Sequence, residues 1–178
     1  MPKILEHVRE QLLTEVRQQI EQHGYAQTTI RSVARACGVG VGTVYNYFPS
    51  KDMLIAAAVA DDWYASRERF LSPVSDDPRN MLYQIYEMLH TFSDEHHTLF
   101  TDPDAAKVFS SIFSERHAPL RDQLADWLLP ICKNDQNPEF LSRFLAESLL
   151  TWTMEGISFA ELFPVLEKIL SIKETDHE

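Results

Sequence analysis

Apolar side chains return every three or four positions along most of this chain, and no stretch sustains a one-in, one-out alternation. A period near 3.6 belongs to helices with one buried stripe, whereas strands need a period of 2. The pattern therefore predicts an all-α protein, with no internal repeat and no low-complexity tract. Its 5 glycines and 9 prolines are too few for a disordered chain or a turn-rich β fold. At 178 residues the chain is long enough to bury a real core as one compact domain carrying a small module.

Local breakers divide the helical pattern. Residues 4–22 place Ile4, Leu5, Val8, Leu12, Val16 and Ile20 on one face, and Gly24 suits a C-terminal cap. Thr28 or Thr29 then offers an N-cap for a short helix with Ile30, Val33, Ala34 and Cys37 on its inner side. That helix stops at Gly38, and Val41–Tyr47 has room for two further turns before Pro49 closes it. Ser50 caps a long helix at 51–71, and 72–78 reads as a loop. Beyond it the breakers predict helices at 79–97, 104–115, 117–133, 139–156 and 160–172. Pro119 falls in the first turn of the third of these five to follow the break at 116, and Pro130 weakens that helix's end.

Charge separates two modules. Residues 1–55 carry six Lys/Arg and five Asp/Glu, whereas residues 56–178 carry ten and twenty-two. The formal charge of −11 therefore belongs to the C-terminal two-thirds, and the N-terminal part is free to approach phosphates.

Two short helices joined by a tight glycine turn are the sequence form of a helix-turn-helix, whose second helix enters the major groove of DNA. Val33, Ala34, Val39, Val44 and Phe48 suit the hydrophobic seam, leaving Val41, Thr43, Asn46 and Tyr47 outward. Gly40 and Gly42 remove bulk where the backbone would approach DNA. Tyr45, Tyr47 and Lys51 are expected to reach phosphates, and Arg31 and Asn46 to read bases. The same geometry also occurs as a purely structural corner in helical ligand-binding or interaction proteins, which remains the alternative reading.

The segment "TTIRSVARACGVGVGTVYNYFPSKDML", residues 28–54, resembles the DNA-binding signature of tetracycline-repressor-like (TetR family) transcriptional regulators. Cys37 stands where alanine is more usual, and Gly40 where a serine or threonine often caps the recognition helix; that exchange costs only a few tenths of a kcal/mol. The resemblance implies a reader at 1–50, then a sensing and dimerising domain at 51–178 that begins with a linking helix at 51–71. By position it implies Thr29, Tyr47 and Lys51 as phosphate anchors, and Tyr45 as a further backbone contact. Arg31, Val41, Gly42, Thr43 and Asn46 would approach bases. The implied partners are double-stranded operator DNA, a small-molecule effector and a second copy of the chain. The implied activity is that of a one-component regulator, a repressor released by its effector.

The C-terminal residues permit both tasks. Trp63, Arg67, Tyr83, Tyr86, Glu87, His90, Phe109, Phe113 and Trp127 are candidates for an effector pocket, an aromatic lining with few polar groups. Aromatics at this spacing equally form plain core. The helix at 139–156 is apolar on more than one face, so it needs partners on two sides. Phe140, Phe144, Trp152, the small residues Ala146, Ser148 and Gly156, and Phe163 and Leu166 of the last helix are the expected dimer interface.

Other chemistry finds little footing. Cys37 and Cys132 give neither a disulfide framework nor metal spacing, which suits reduced thiols in the cytoplasm. Adjacent residues on a helix point apart, so His96 and His97 do not share a metal ion; His90 and Asp94 have usable spacing but read as a solvated helix end. "GVGVG" lacks a preceding strand and a lysine, so it is no nucleotide loop. No nucleophile–base motif, membrane span or apolar leader stands out; no enzyme activity, cofactor or membrane contact is expected.

Overall fold

A computed structural model describes residues 7–70 and 77–171, apart from the side chains of 108–116 and 171. Among the described residues there are helices and turns but no strand. The helices are α1 Val8–Gln27, α2 Ile30–Ala36, α3 Val41–Tyr47, α4 Lys51–Phe70, α5 Pro78–Glu95, α6 His97–Phe100, α7 Pro103–Leu128, α8 Pro138–Met154 and α9 Phe159–Ser171. They form two compact units: Met1–Tyr64 with His96–Phe113, and Ala65–Glu95 with Ser114–Glu178.

The first unit is built on α1. Leu12, Leu13 and Val16 are fully buried, and they share a core with Val33 and Ala34 of α2, Val44 of α3, and Leu54 and Ile55 of α4. Gly24 interrupts α1 with a positive φ of 77° and an extended ψ. Helical geometry then resumes to Gln27 instead of ending there, and the Thr28 hydroxyl donates to the Gly24 carbonyl at 2.9 Å. The second unit packs α5 on α8 and α9. Met81, Leu82, Ile85, Met88 and Leu89 face Leu141, Leu145, Leu149 and Leu166 within one apolar core.

Several boundaries differ from the sequence expectation. Helices expected at 104–115 and 117–133 are one continuous helix, α7, with Pro119 inside it. A proline costs the helix one hydrogen bond and some crowding without necessarily ending it. The buried row Leu124, Ala125 and Leu128 keeps the later turns on the core. Pro130 does end the α-helix, which tightens into a 3-10 turn at Leu129–Cys132. The expected helix at 79–97 stops at Glu95, and His96 precedes the separate single turn α6.

Gly156 closes α8 with φ +84°. Its N–H donates to Thr153 O and that of Ile157 to Trp152 O, each at 3.0 Å, the paired bonds that seal a helix end through a left-handed residue. At the start of α9 the Glu161 carboxylate accepts from both the N–H and the hydroxyl of Ser158, at 3.2 and 2.6 Å. The two bonds from Ser158 outweigh a slight burial effect and hold the Glu161 carboxyl below its ordinary range.

Candidate nucleic-acid interface

Thr29 starts α2. Its side chain accepts from the Ser32 N–H at 3.0 Å, and the Ser32 oxygen accepts from the Thr29 N–H at 3.0 Å, so two otherwise orphaned donors are satisfied reciprocally. The Ser32 hydroxyl also lies 2.5 Å from Oε1 of the buried Gln19, which fastens this cap to α1. At the other end, the N–H groups of Gly38 and Val39 return to the carbonyls of Arg35 and Ala34. Gly38 at φ +66° makes that reversal possible, a conformation that costs other residues roughly 1–2 kcal/mol. Two residues later Gly40 opens α3, its carbonyl accepting from Thr43 and Val44.

This turn sets which side of α3 is buried. Val44 has no exposed surface and Phe48 is 6% exposed, so they are the seam. Val41, Gly42, Tyr45, Asn46 and Tyr47 lie exposed on the opposite side, with Thr43 half-buried. Arg31 and Arg35 of α2 are exposed as well, adding two cations to the module. A methyl built on Gly42 would meet nothing within 4 Å, and one on Gly40 only the Thr43 hydroxyl at 3.7 Å. No packing inside the protein requires glycine at position 42.

Lys51 is held in place. Its ammonium donates to the Tyr25 carbonyl at 2.9 Å and stands 3.6 Å from the centre of the Tyr25 ring, a cation–π arrangement. The Tyr25 hydroxyl donates to Asp52 Oδ1 at 2.5 Å. Burial, and then that bond to the carboxylate, push the Tyr25 hydroxyl far above its ordinary range. Ser50 caps α4 by accepting from the Met53 N–H at 3.1 Å. The start of α4 is thus locked to the end of α1, and a lysine is presented on a fixed stem beside α3.

The other predicted residues are dispersed. Trp63 is buried in the first unit. In the second, Tyr86 is buried, Arg67, Glu87, His90 and Trp127 are half-buried, and Tyr83 is exposed. Tyr83 and Tyr86 both pack on Phe159, with ring centres 5.1 and 5.4 Å away. His90 pairs with Asp94 at 3.3 Å on an exposed helix end. The side chains of Phe109 and Phe113 lie outside the described residues. A cavity of about 360 Å³ in the second unit is lined by Arg79, Cys132, Leu141 and Phe163 among others, and by none of the residues predicted to line an effector pocket. Of the interface candidates, Phe140, Phe144 and Trp152 are exposed, as is Gly156. Ser148 is half-buried, and Ala146, Phe163 and Leu166 are buried within the protomer. Among the described residues no group of three or more His, Cys, Asp or Glu side chains is placed to hold a metal ion.

Sequence reasoning missed the long-range polar pairs, Tyr25 with Lys51 and Asp52, Gln19 with Ser32, and Arg17 with Asp62. No local spacing marks them. One signal was present: an Asp61–Asp62 pair interrupts the alanine-rich run of α4, and His96, adjacent to exposed His97, turns inward to Asp62.

The family described as "Bacterial regulatory proteins, tetR family" matches residues 12–58, which contain the whole α2–α3 arrangement. The chain is 31% identical over 139 residues to the HTH-type transcriptional repressor Rv1474c of Mycobacterium tuberculosis, covering 72% of this chain and 70% of that one. It is 34% identical over 82 residues to the HTH-type transcriptional regulator BetI of Stenotrophomonas maltophilia, covering 44% of this chain and 42% of the relative. The chain thus spans less than half the length of BetI. The crystal structure of Thermus thermophilus FadR, a TetR family transcriptional repressor in complex with lauroyl-CoA, shares the fold at a TM-score of 0.57. It is 24% identical and the match covers 96% of both chains. The chain belongs to the tetR family of bacterial regulatory proteins.

Proposed function

We propose that this chain is a one-component transcriptional regulator that binds operator DNA as a homodimer and releases it when a small molecule occupies the C-terminal domain. The observation that carries the reading is α3. Its inner side chains Val44 and Phe48 are buried, while Val41, Tyr45, Asn46 and Tyr47 stand free around a glycine that the fold does not need. A surface built of small, aromatic and amide groups beside a fixed lysine matches a major groove and its flanking phosphates. Thr29, Tyr45, Tyr47 and Lys51 take phosphates in this reading; Arg31, Val41, Gly42, Thr43 and Asn46 face bases. With only small groups at 41 and 42, thymine methyls and DNA shape supply part of the specificity.

The reader is assigned to residues 1–50 and the sensing and dimerising part to 51–178. Support for dimerisation lies on α8, where Phe140, Phe144, Ser148 and Trp152 recur every four residues alongside the buried row Leu141, Leu145 and Leu149. An exposed aromatic stripe of that length favours a two-fold contact with the same helix of a second copy. Support for an effector lies in the buried Ser66 hydroxyl and the Gln84 side-chain oxygen, which find no hydrogen-bond partner among the described residues. Buried polar groups left unpaired call for a partner. That FadR was crystallised with lauroyl-CoA agrees with a small-molecule effector. A mobility-shift titration on duplexes selected from a random pool, repeated across salt concentrations, tests the DNA assignment. Sequence-selective, salt-sensitive binding is expected, and its absence would leave the structural-corner reading.

A further inference from the structure

Arg17, Asp62 and His96 come from three helical segments and meet at one carboxylate. The Arg17 guanidinium forks onto it, Nε at 3.0 Å from Oδ2 and Nη2 at 2.7 Å from Oδ1. The same Nη2 also reaches the Ala58 carbonyl and Asp61, each at 3.2 Å. His96 brings Nε2 to 3.1 Å from Asp62 Oδ2; its side chain is 11% exposed and its ring stacks on Phe100.

The chain positions of these residues matter as much as the distances. The chain leaves the first unit after Tyr64, two residues beyond Asp62, and re-enters it at His96 directly after α5. The cluster therefore fastens α1 beside two of the three points where the chain passes between units. Helix α1 also carries the reading helices, because Gln19 receives the Ser32 hydroxyl and Ser32 completes the Thr29 cap of α2.

A bidentate guanidinium–carboxylate pair is planar and strict about distance and angle, so it holds two helices in one register. The imidazole uses a further lone-pair site on the same carboxylate, which fixes where the chain re-enters the unit. Leu12, Leu13, Val16, Leu54 and Ile55 supply the packing independently of these polar groups.

We propose that the Arg17–Asp62–His96 node is a positioning device that sets the pose of α1, and with it the separation of the two recognition helices in the DNA-bound dimer. This rests on the DNA-binding, dimeric reading above. The node does not touch DNA; it acts through α1 and the Gln19–Ser32 link. Displacing His96 or weakening Asp62 lets α1 pivot against α4 about the Tyr25–Asp52 lock at its far end, while the apolar core stays packed.

The test uses the full chain and a palindromic duplex that the wild type selects from a random pool. Two companion duplexes have their half-sites one base pair closer or farther, a change of about 3.4 Å in separation. His96→Leu removes the donor, whereas the Nε2 of His96→Gln can stand in for the imidazole Nε2; Asp62→Asn removes the charge. The wild type is expected to favour its own spacing by about tenfold or more, and His96→Leu and Asp62→Asn to lose that preference or move it by one base pair, while His96→Gln retains it. A merely stabilising node would weaken binding to all three duplexes by the same factor, and that result would overturn the proposal. Spacing profiles identical to the wild type would overturn it too. Circular dichroism checks folding, and the His96 pair carries the test if Asp62→Asn is unfolded. A wild type that selects no duplex refutes the DNA-binding reading itself, and the node's role falls with it.

Discussion

Replacing Gly42 by alanine separates what the fold needs from what a DNA partner needs. Gly42 lies in the first turn of α3 at ordinary helical φ, and an added methyl would have open space around it. Glycine within a helix costs about 0.5–1 kcal/mol relative to alanine, and near a helix start the lower figure applies. The variant should therefore be more stable by about 0.5 kcal/mol, raising the thermal midpoint of a chain this size by roughly 1–2 °C. At a close interface the same methyl has no room; an uncompensated methyl in a packed contact costs about 1–3 kcal/mol, roughly 5- to 150-fold in affinity. The assay pairs a thermal melt with a mobility shift at fixed salt on the selected duplex. A higher midpoint with unchanged affinity would show that the start of α3 does not face DNA. A lower midpoint would mean that the fold itself needs Gly42, contrary to the open space around it.

Gly38→Ala should do the reverse, losing roughly 1–2 kcal/mol of stability to its positive φ while folded molecules bind DNA as before; a stability unchanged in urea melts would contradict the turn geometry. Thr29→Ala should cost about 1 kcal/mol by the same measurement, because it removes the acceptor that caps α2. Phe144→Glu, placing a charge in the middle of the α8 stripe, should break the proposed dimer into monomers in sedimentation equilibrium; an unchanged mass would move the interface elsewhere. Burial pushes the Asp62 carboxyl up, but hydrogen bonds and charge from His96 and Arg17 overcome it and hold the group below its ordinary range. Its contribution to stability is then whole above about pH 4, where the unfolded carboxyl ionises, and fades as the pH falls toward the folded value. The stability gap between wild type and Asp62→Asn should shrink between about pH 5 and pH 3, and a gap constant across that range would contradict the ion pairing.

The parts of the fold legible from sequence are those decided by neighbours along the chain. Gly38 ends one short helix and Pro49 the next because backbone conformation at those residues is a local matter, and Val44 and Phe48 fall on one seam by helical period alone. Where competing local and tertiary terms are close, local reasoning failed. Pro119 argues for a break, yet α7 runs through it and its later turns lie on the core. Residues joined only by the fold left little trace. Arg17 and Asp62 are 45 positions apart, Tyr25 and Asp52 27. The aromatics were ambiguous for another reason. Period places Tyr83 and Tyr86 near one another, but both rings meet Phe159, a residue more than 70 positions away, and only Tyr86 is buried.

The account stands most directly on one measurement, the salt dependence of the intact protein's affinity for a duplex it has selected. If α3 enters the major groove with Thr29, Tyr45, Tyr47 and Lys51 on phosphates, log affinity falls linearly with log salt, with a slope of about −0.9 for each phosphate charge neutralised. A scrambled duplex of the same length should bind more weakly at every salt concentration. Binding that ignores salt, or that treats selected and scrambled duplexes alike, would contradict the assignment of α3 as a reader of sequence.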